Sequence, residues 1–145
     1  TTSTQGGLWN NNGLFKFRNI SNGSDNTFAY IDKQQSYTKP QTITPQTLTY
    51  AANIAVDASL TEIFRLTLTG NATISNPTNL IDGTTYLFWI IQDNFGVRTV
   101  NWGSNYDFGI LGTPTLTTTI NKKDLLSFIS DGTKLYFLGI AKGYN

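Results

Sequence analysis

Apolar and polar positions alternate through most of the chain after residue 43, and the alternation is clearest at Asp124–Gly139 (DLLSFISDGTKLYFLG). Two alternating runs there flank Asp131-Gly132, a dipeptide that favours a two-residue hairpin loop. Such a loop sets Ser130 opposite Thr133, Phe128 opposite Leu135 and Leu126 opposite Phe137, so the hairpin has a core face. Its other face pairs Leu125 with Leu138 and Ser127 with Tyr136. That face is also partly apolar and is expected to be covered.

Ile63–Thr69 (IFRLTLT) places Phe64, Leu66 and Leu68 on one side and Arg65, Thr67 and Thr69 on the other, the pattern of a half-buried antiparallel strand. Thr84–Gln92 (TTYLFWIIQ) is almost continuously apolar, as in a strand buried on both faces. A tight loop at Asp93–Gly96 is expected to return the chain antiparallel through Arg98–Trp102. Shorter strands are read at Thr47–Tyr50, Asn53–Val56, Ala72–Ser75 and Thr115–Ile120, with turns at Gly70-Asn71, Asn76–Asn79 and Asp82-Gly83.

Nearer the N-terminus, Leu14–Arg18 (LFKFR) has period two, Asn19–Asn26 has turn chemistry, and Thr27–Ile31 forms a second short strand. Pro40 and Pro45 make the following segment an extended connector. No 3.6-residue period persists beyond a weak trace at Leu60–Phe64. Strands recurring about every 8–12 residues indicate an all-β fold. The expectation is an antiparallel β-sandwich, jelly-roll-like, over residues 37–145, preceded by an extended arm over residues 1–36. Phe64, Leu66, Leu68, Leu87, Trp89, Val100, Leu126, Phe128, Leu135 and Phe137 are expected to point inward.

Composition narrows the function. Only 13% of the 145 residues are charged and the formal net charge is +1, against about 25% charged in typical soluble domains. Thr, Asn, Ser and Gln supply the polarity instead, which suits strands and turns and extracellular or virion surfaces alike. The basic residues are scattered, with Lys122-Lys123 the only adjacent pair, so no nucleic-acid partner is expected. The chain has no Cys and no His, which excludes disulfides, thiolate zinc sites and Cys or His catalysis. No apolar run reaches about 18 residues, so no membrane insertion is expected.

No catalytic residue stands out. The acids sit mostly in turn contexts, and no pair among them is singled out as the two carboxylates of a glycosidase. No phosphate-cradling loop is present. Asn10–Gly13 echoes a calcium loop without a carboxylate, so no metal site and no cofactor are assigned. Trp102, Asn105, Tyr106 and Asp107 lie together in one loop segment and offer aromatic rings beside hydrogen-bonding groups, a candidate glycan-binding set. The competing reading packs Trp102 and Tyr106 into the domain edge. Leu8, Trp9, Phe15 and Phe17 in the arm read as docking anchors.

Tyr37–Thr42 (YTKPQT), Leu66–Pro77 (LTLTGNATISNP), Gln92–Thr99 (QDNFGVRT), Trp102–Phe108 (WGSNYDF), Pro114–Thr117 (PTLT) and Asp124–Tyr136 (DLLSFISDGTKLY) together resemble a β-module of tailed-bacteriophage fibre and minor structural proteins. The resemblance implies a non-enzymatic module on the virion surface that is generally homotrimeric. The hairpin's outer face (Leu125, Tyr136, Leu138) is then the expected oligomer interface. The partners expected are other virion proteins (major capsid or tail protein) and a host surface glycan. A capsid-attached head-decoration protein is the leading expectation. The alternative is a tail-fibre or head-fibre receptor-binding tip that recognises the glycan.

Overall fold

β-Branched and aromatic residues dominate the longest segments, and these form strands. The computed structural model describes residues 42–145, together with the backbone of three strands among the first 41 residues. Thr1–Gln41 and Thr42–Asn145 are two units. In the first, β1 (Leu8–Asn11), β2 (Leu14–Arg18) and β3 (Asp25–Thr27) form an antiparallel sheet in that order. The side chains of the expected docking set, Leu8, Trp9, Phe15 and Phe17, lie outside the described residues, as do residues 28–31 of the second expected strand.

The second unit is all-β. Its strands are β4 (Gln46–Leu48), β5 (Asn53–Ile54), β6 (Ile63–Leu68), β7 (Ala72–Ile74), β8 (Thr85–Gln92), β9 (Val100–Trp102), β10 (Tyr106–Asp107), β11 (Lys123–Ser130) and β12 (Leu135–Tyr144). A six-stranded sheet has the order β10-β12-β11-β8-β6-β4, and a three-stranded sheet the order β5-β7-β9. Side chains from both sheets share one hydrophobic core.

Strand polarity departs from a jelly roll. β8, β11 and β12 are antiparallel neighbours as expected. β4, β6 and β8, however, run parallel, and so do β5, β7 and β9. The chain alternates between the sheets from β4 to β9, and each circuit lays one new parallel strand on each sheet. Parallel neighbours need a crossover, and here the crossover of each sheet is a strand of the other. β9 therefore pairs with β7 rather than returning beside β8. Residues 115–120 form no strand.

Parity in β8 settles which side chains are inside. Tyr86, Phe88, Ile90 and Gln92 are buried, so Leu87 and Trp89, expected inside, face the opposite way. A continuous apolar run carries no alternation from which parity could be read. Phe88 is the hub of the core. Its ring centroid lies 5.1 Å from Phe64, 5.8 Å from Trp102, 5.9 Å from Tyr106 and 5.7 Å from Phe128. Burying each such side chain stabilises the fold by roughly 1.5–3 kcal/mol before entropy is counted.

The β11–β12 connection is longer than two residues. Ser130 pairs with Leu135 and Phe128 with Phe137, so residues 131–134 form the loop. The Asp131 carboxylate holds it, with Oδ1 accepting from the Lys134 N–H at 2.7 Å and the Thr133 N–H and hydroxyl at 2.8 Å each. Gly132 supplies a φ of +83°, which a non-glycine residue adopts only with strain. The register is thus two residues from that of a two-residue loop, which preserves the faces. An irregularity between Ser127 and Phe128 then sets Ser127 opposite Gly139, Leu126 opposite Ile140 and Leu125 opposite Ala141. Leu126–Phe137, Leu125–Leu138 and Ser127–Tyr136 are not pairs.

Candidate functional site

Three regions of the second unit bear on the candidate sites. The first is the Trp102–Asp107 segment. Tyr106 is buried, and Trp102 is half-buried with its ring 4.9 Å from Tyr106 and 5.7 Å from Phe108. Burial pushes the Tyr106 hydroxyl well above its ordinary pKa. The Asn105 N–H donates to Asn76 Oδ1 at 2.8 Å, and its Nδ2 donates to the Thr133 carbonyl at 3.2 Å. Asp107 Oδ1 accepts from the Gly109 N–H at 2.9 Å. Tyr106 has no free ring face, and Asn105 and Asp107 fasten turns, so this segment is built as the edge of the aromatic core. The large apolar area of the two rings favours that placement over exposure.

The second surface is the outer face of the six-stranded sheet. Leu125, Tyr136 and Leu138 all lie on it, with Tyr136 39% and Leu138 59% exposed. They are joined there by Leu87, Trp89, Ile91 and Ile129. Arg65 lies over the Trp89 ring, its guanidinium carbon 4.6 Å from the centroid. The indole N–H of Trp89 is shut off from solvent and has no acceptor among the described residues. The Tyr136 hydroxyl donates to Asp131 Oδ2 at 2.8 Å, which raises its pKa and ties the face to the turn. Sequence reading found three members of this face. It missed the β8 members because that strand read as buried on both sides.

The third surface lies where β8 ends. β4 runs parallel to β8, so the chain enters the unit at the other end of the sheet, and β12 finishes at this one. The loop Asp93–Arg98 is clasped at its base by buried Gln92. The Gln92 side chain donates to the Arg98 carbonyl and accepts from the Arg98 N–H, both at 2.9 Å. Asp93 Oδ1 accepts from the N–H groups of Phe95 and Gly96, and Oδ2 pairs with Arg98 at 3.1 Å. Burial raises the Asp93 pKa, but these hydrogen bonds and the Arg98 charge outweigh it and hold the carboxyl below its usual range.

Val97 sits at φ +55° and donates its N–H to the Thr118 carbonyl at 2.9 Å. A β-branched residue in that region is strained. Phe95 is 71% and Val97 65% exposed. Between this loop and residues 113–118 lies a groove of about 340 Å³. Buried Asp124 fixes its far wall, accepting from the Thr117 N–H at 2.6 Å and the Gly143 N–H at 2.9 Å.

Residues 43–135 match a protein family described as "Putative phage tail fibre C-terminal domain". The search of curated proteins and the search of solved structures each returned no match. The family match favours the tail-fibre alternative over the leading expectation of head decoration, for which there is no support. The all-β chain, with its apolar outer sheet face and its solvent-facing loop end, belongs to the phage tail fibre C-terminal domain family and is a virion structural protein.

Proposed function

We propose that the chain is a surface-exposed tail-fibre module that packs against copies of itself through the outer face of its six-stranded sheet and turns its loop end toward the host. The observation that carries this reading is the apolar outer face of β8, β11 and β12, where Trp89 stands beside Leu125 in register and Tyr136 and Leu138 are exposed. Contiguous apolar surface of this kind marks interaction sites on folded proteins. Packing a copy onto this face removes that surface from water. Different parts of this face meeting head-to-tail on successive copies close into a ring when the rotation between copies allows it. Three is the number that the resemblance to phage fibre modules implies.

Receptor recognition is assigned to the end where β8 finishes, because the Phe95–Val97 tip stands in solvent there. The test is the double variant Leu125→Glu/Leu138→Glu. Both positions are on the outer face, so the core is untouched. The variant should keep its far-ultraviolet circular dichroism but sediment as a monomer, and phage carrying it should adsorb poorly. A variant that keeps the wild-type mass contradicts the assigned interface.

A further inference from the structure

The groove beside the Asp93–Arg98 loop has a lining of two kinds. Thr99, Thr113, Thr115 and Thr118 stand exposed around it. Val100, Pro114 and Leu116 are half-buried beneath them. Arg98 borders the groove and is ion-paired with Asp93 at 3.1 Å. The Lys142 ammonium reaches Thr115 Oγ1 at 3.5 Å. We propose that this groove binds one uncharged pyranose unit of a host surface saccharide, with its C–H face on Val100, Pro114 and Leu116 and its hydroxyls on the threonine rim and the free N–H groups of Arg98.

The chemistry favours this occupant on three counts. A pyranose is amphipathic in the same sense as the groove, with an apolar face edged by hydroxyls. Threonine hydroxyls both donate and accept, so they suit sugar hydroxyls in either role. Asp93 already neutralises Arg98 in a charge-assisted pair, and Lys142, the second cation at the rim, is engaged on the Thr115 hydroxyl, so a uronic acid or sugar phosphate would have to compete with Asp93 for the first and with Thr115 for the second. The walls are also held in place before any ligand arrives, by Gln92 on one side and Asp124 on the other. A groove fixed in advance loses less freedom on binding.

This assignment rests on the reading of the loop end as the host-facing end, and the experiment separates the two. The full chain, labelled with ¹⁵N, is titrated with methyl glucopyranoside, methyl galactopyranoside and methyl mannopyranoside, and in parallel with galacturonate and glucose 6-phosphate. Amide shifts should concentrate at residues 98–100 and 113–118 for at least one neutral glycoside. Thr115→Val/Thr118→Val, which keeps side-chain shape and removes two hydroxyls, should weaken that binding about tenfold, the effect of one to two lost hydrogen bonds.

The inference is overturned by shifts that map elsewhere, by an unchanged affinity in the variant, by preference for the acidic sugars, or by no response to any neutral glycoside. If binding fails while the chain still assembles and phage still adsorb through this end, the groove is wrong and the fibre reading stands. If the groove binds sugar in a chain that neither assembles nor mediates adsorption, the groove assignment stands and the fibre reading falls.

Discussion

At the scale of single residues, the unit is held by one aromatic hub and a few carboxylates that accept several hydrogen bonds each. Phe88 is fully buried and touches rings from both sheets. Phe88→Ala should cost about 3–5 kcal/mol, the usual range for deleting a core aromatic, measured by urea unfolding of a variant that still folds at low temperature. Asp131 is held low by the Lys134 N–H first and by the Thr133 hydroxyl and N–H next. Asp57 is held low by Asn79 and Ser59. A carboxylate with a depressed folded pKa stabilises the fold above its unfolded pKa of about 4, and that contribution is lost as the pH falls through the folded value. With no histidine in the chain, the unfolding temperature should be nearly constant from pH 5 to 8 and drop below pH 4. Asp131→Asn should be less stable than wild type at pH 7 and lose less on acidification. Equal acid-induced losses in the two proteins would remove the turn carboxylate from this account.

At the scale of elements, what could be read in the sequence followed the local code, and what could not followed the long-range one. The all-β class, the core faces of β6 and β11 and the position of the final hairpin are all written in period-two alternation and turn residues. The parallel winding is not, because a turn residue bends the chain in the same way whether the next strand pairs beside the last or crosses to the facing sheet. The hairpin register was missed by two residues because Asp131 accepts from Thr133 and Lys134 and so stabilises a longer loop. Of the surfaces, Leu125, Tyr136 and Leu138 were legible because alternation left them unmatched by a core. The groove was not legible, since its walls, residues 98–100 and 113–118, are far apart in sequence and are brought together by contacts such as the Val97 N–H to the Thr118 carbonyl. Gly96 is where those walls touch. A Cβ there would lie 2.5 Å from the Thr118 carbonyl oxygen, at φ +67°. Gly96→Ala should therefore destabilise by more than about 1 kcal/mol, and hydrogen exchange should quicken at the Val97 amide. Unchanged exchange there would mean that the loop does not depend on this contact.

At the scale of the whole molecule, the sheet that closes the core also presents a second, apolar face, and a fibre is built by repeating such contacts. The outer face carries Trp89 and Leu125 beside each other in register, with Ile129 and Tyr136 exposed further along the same surface. Among the described residues this surface stands in water, and the proposed self-assembly would remove it. Equilibrium sedimentation of the wild-type chain at micromolar concentration tests this most directly. The account predicts a species of three times the 16.0 kDa chain mass, while a chain that sediments as a stable 16.0 kDa monomer across that range would contradict it.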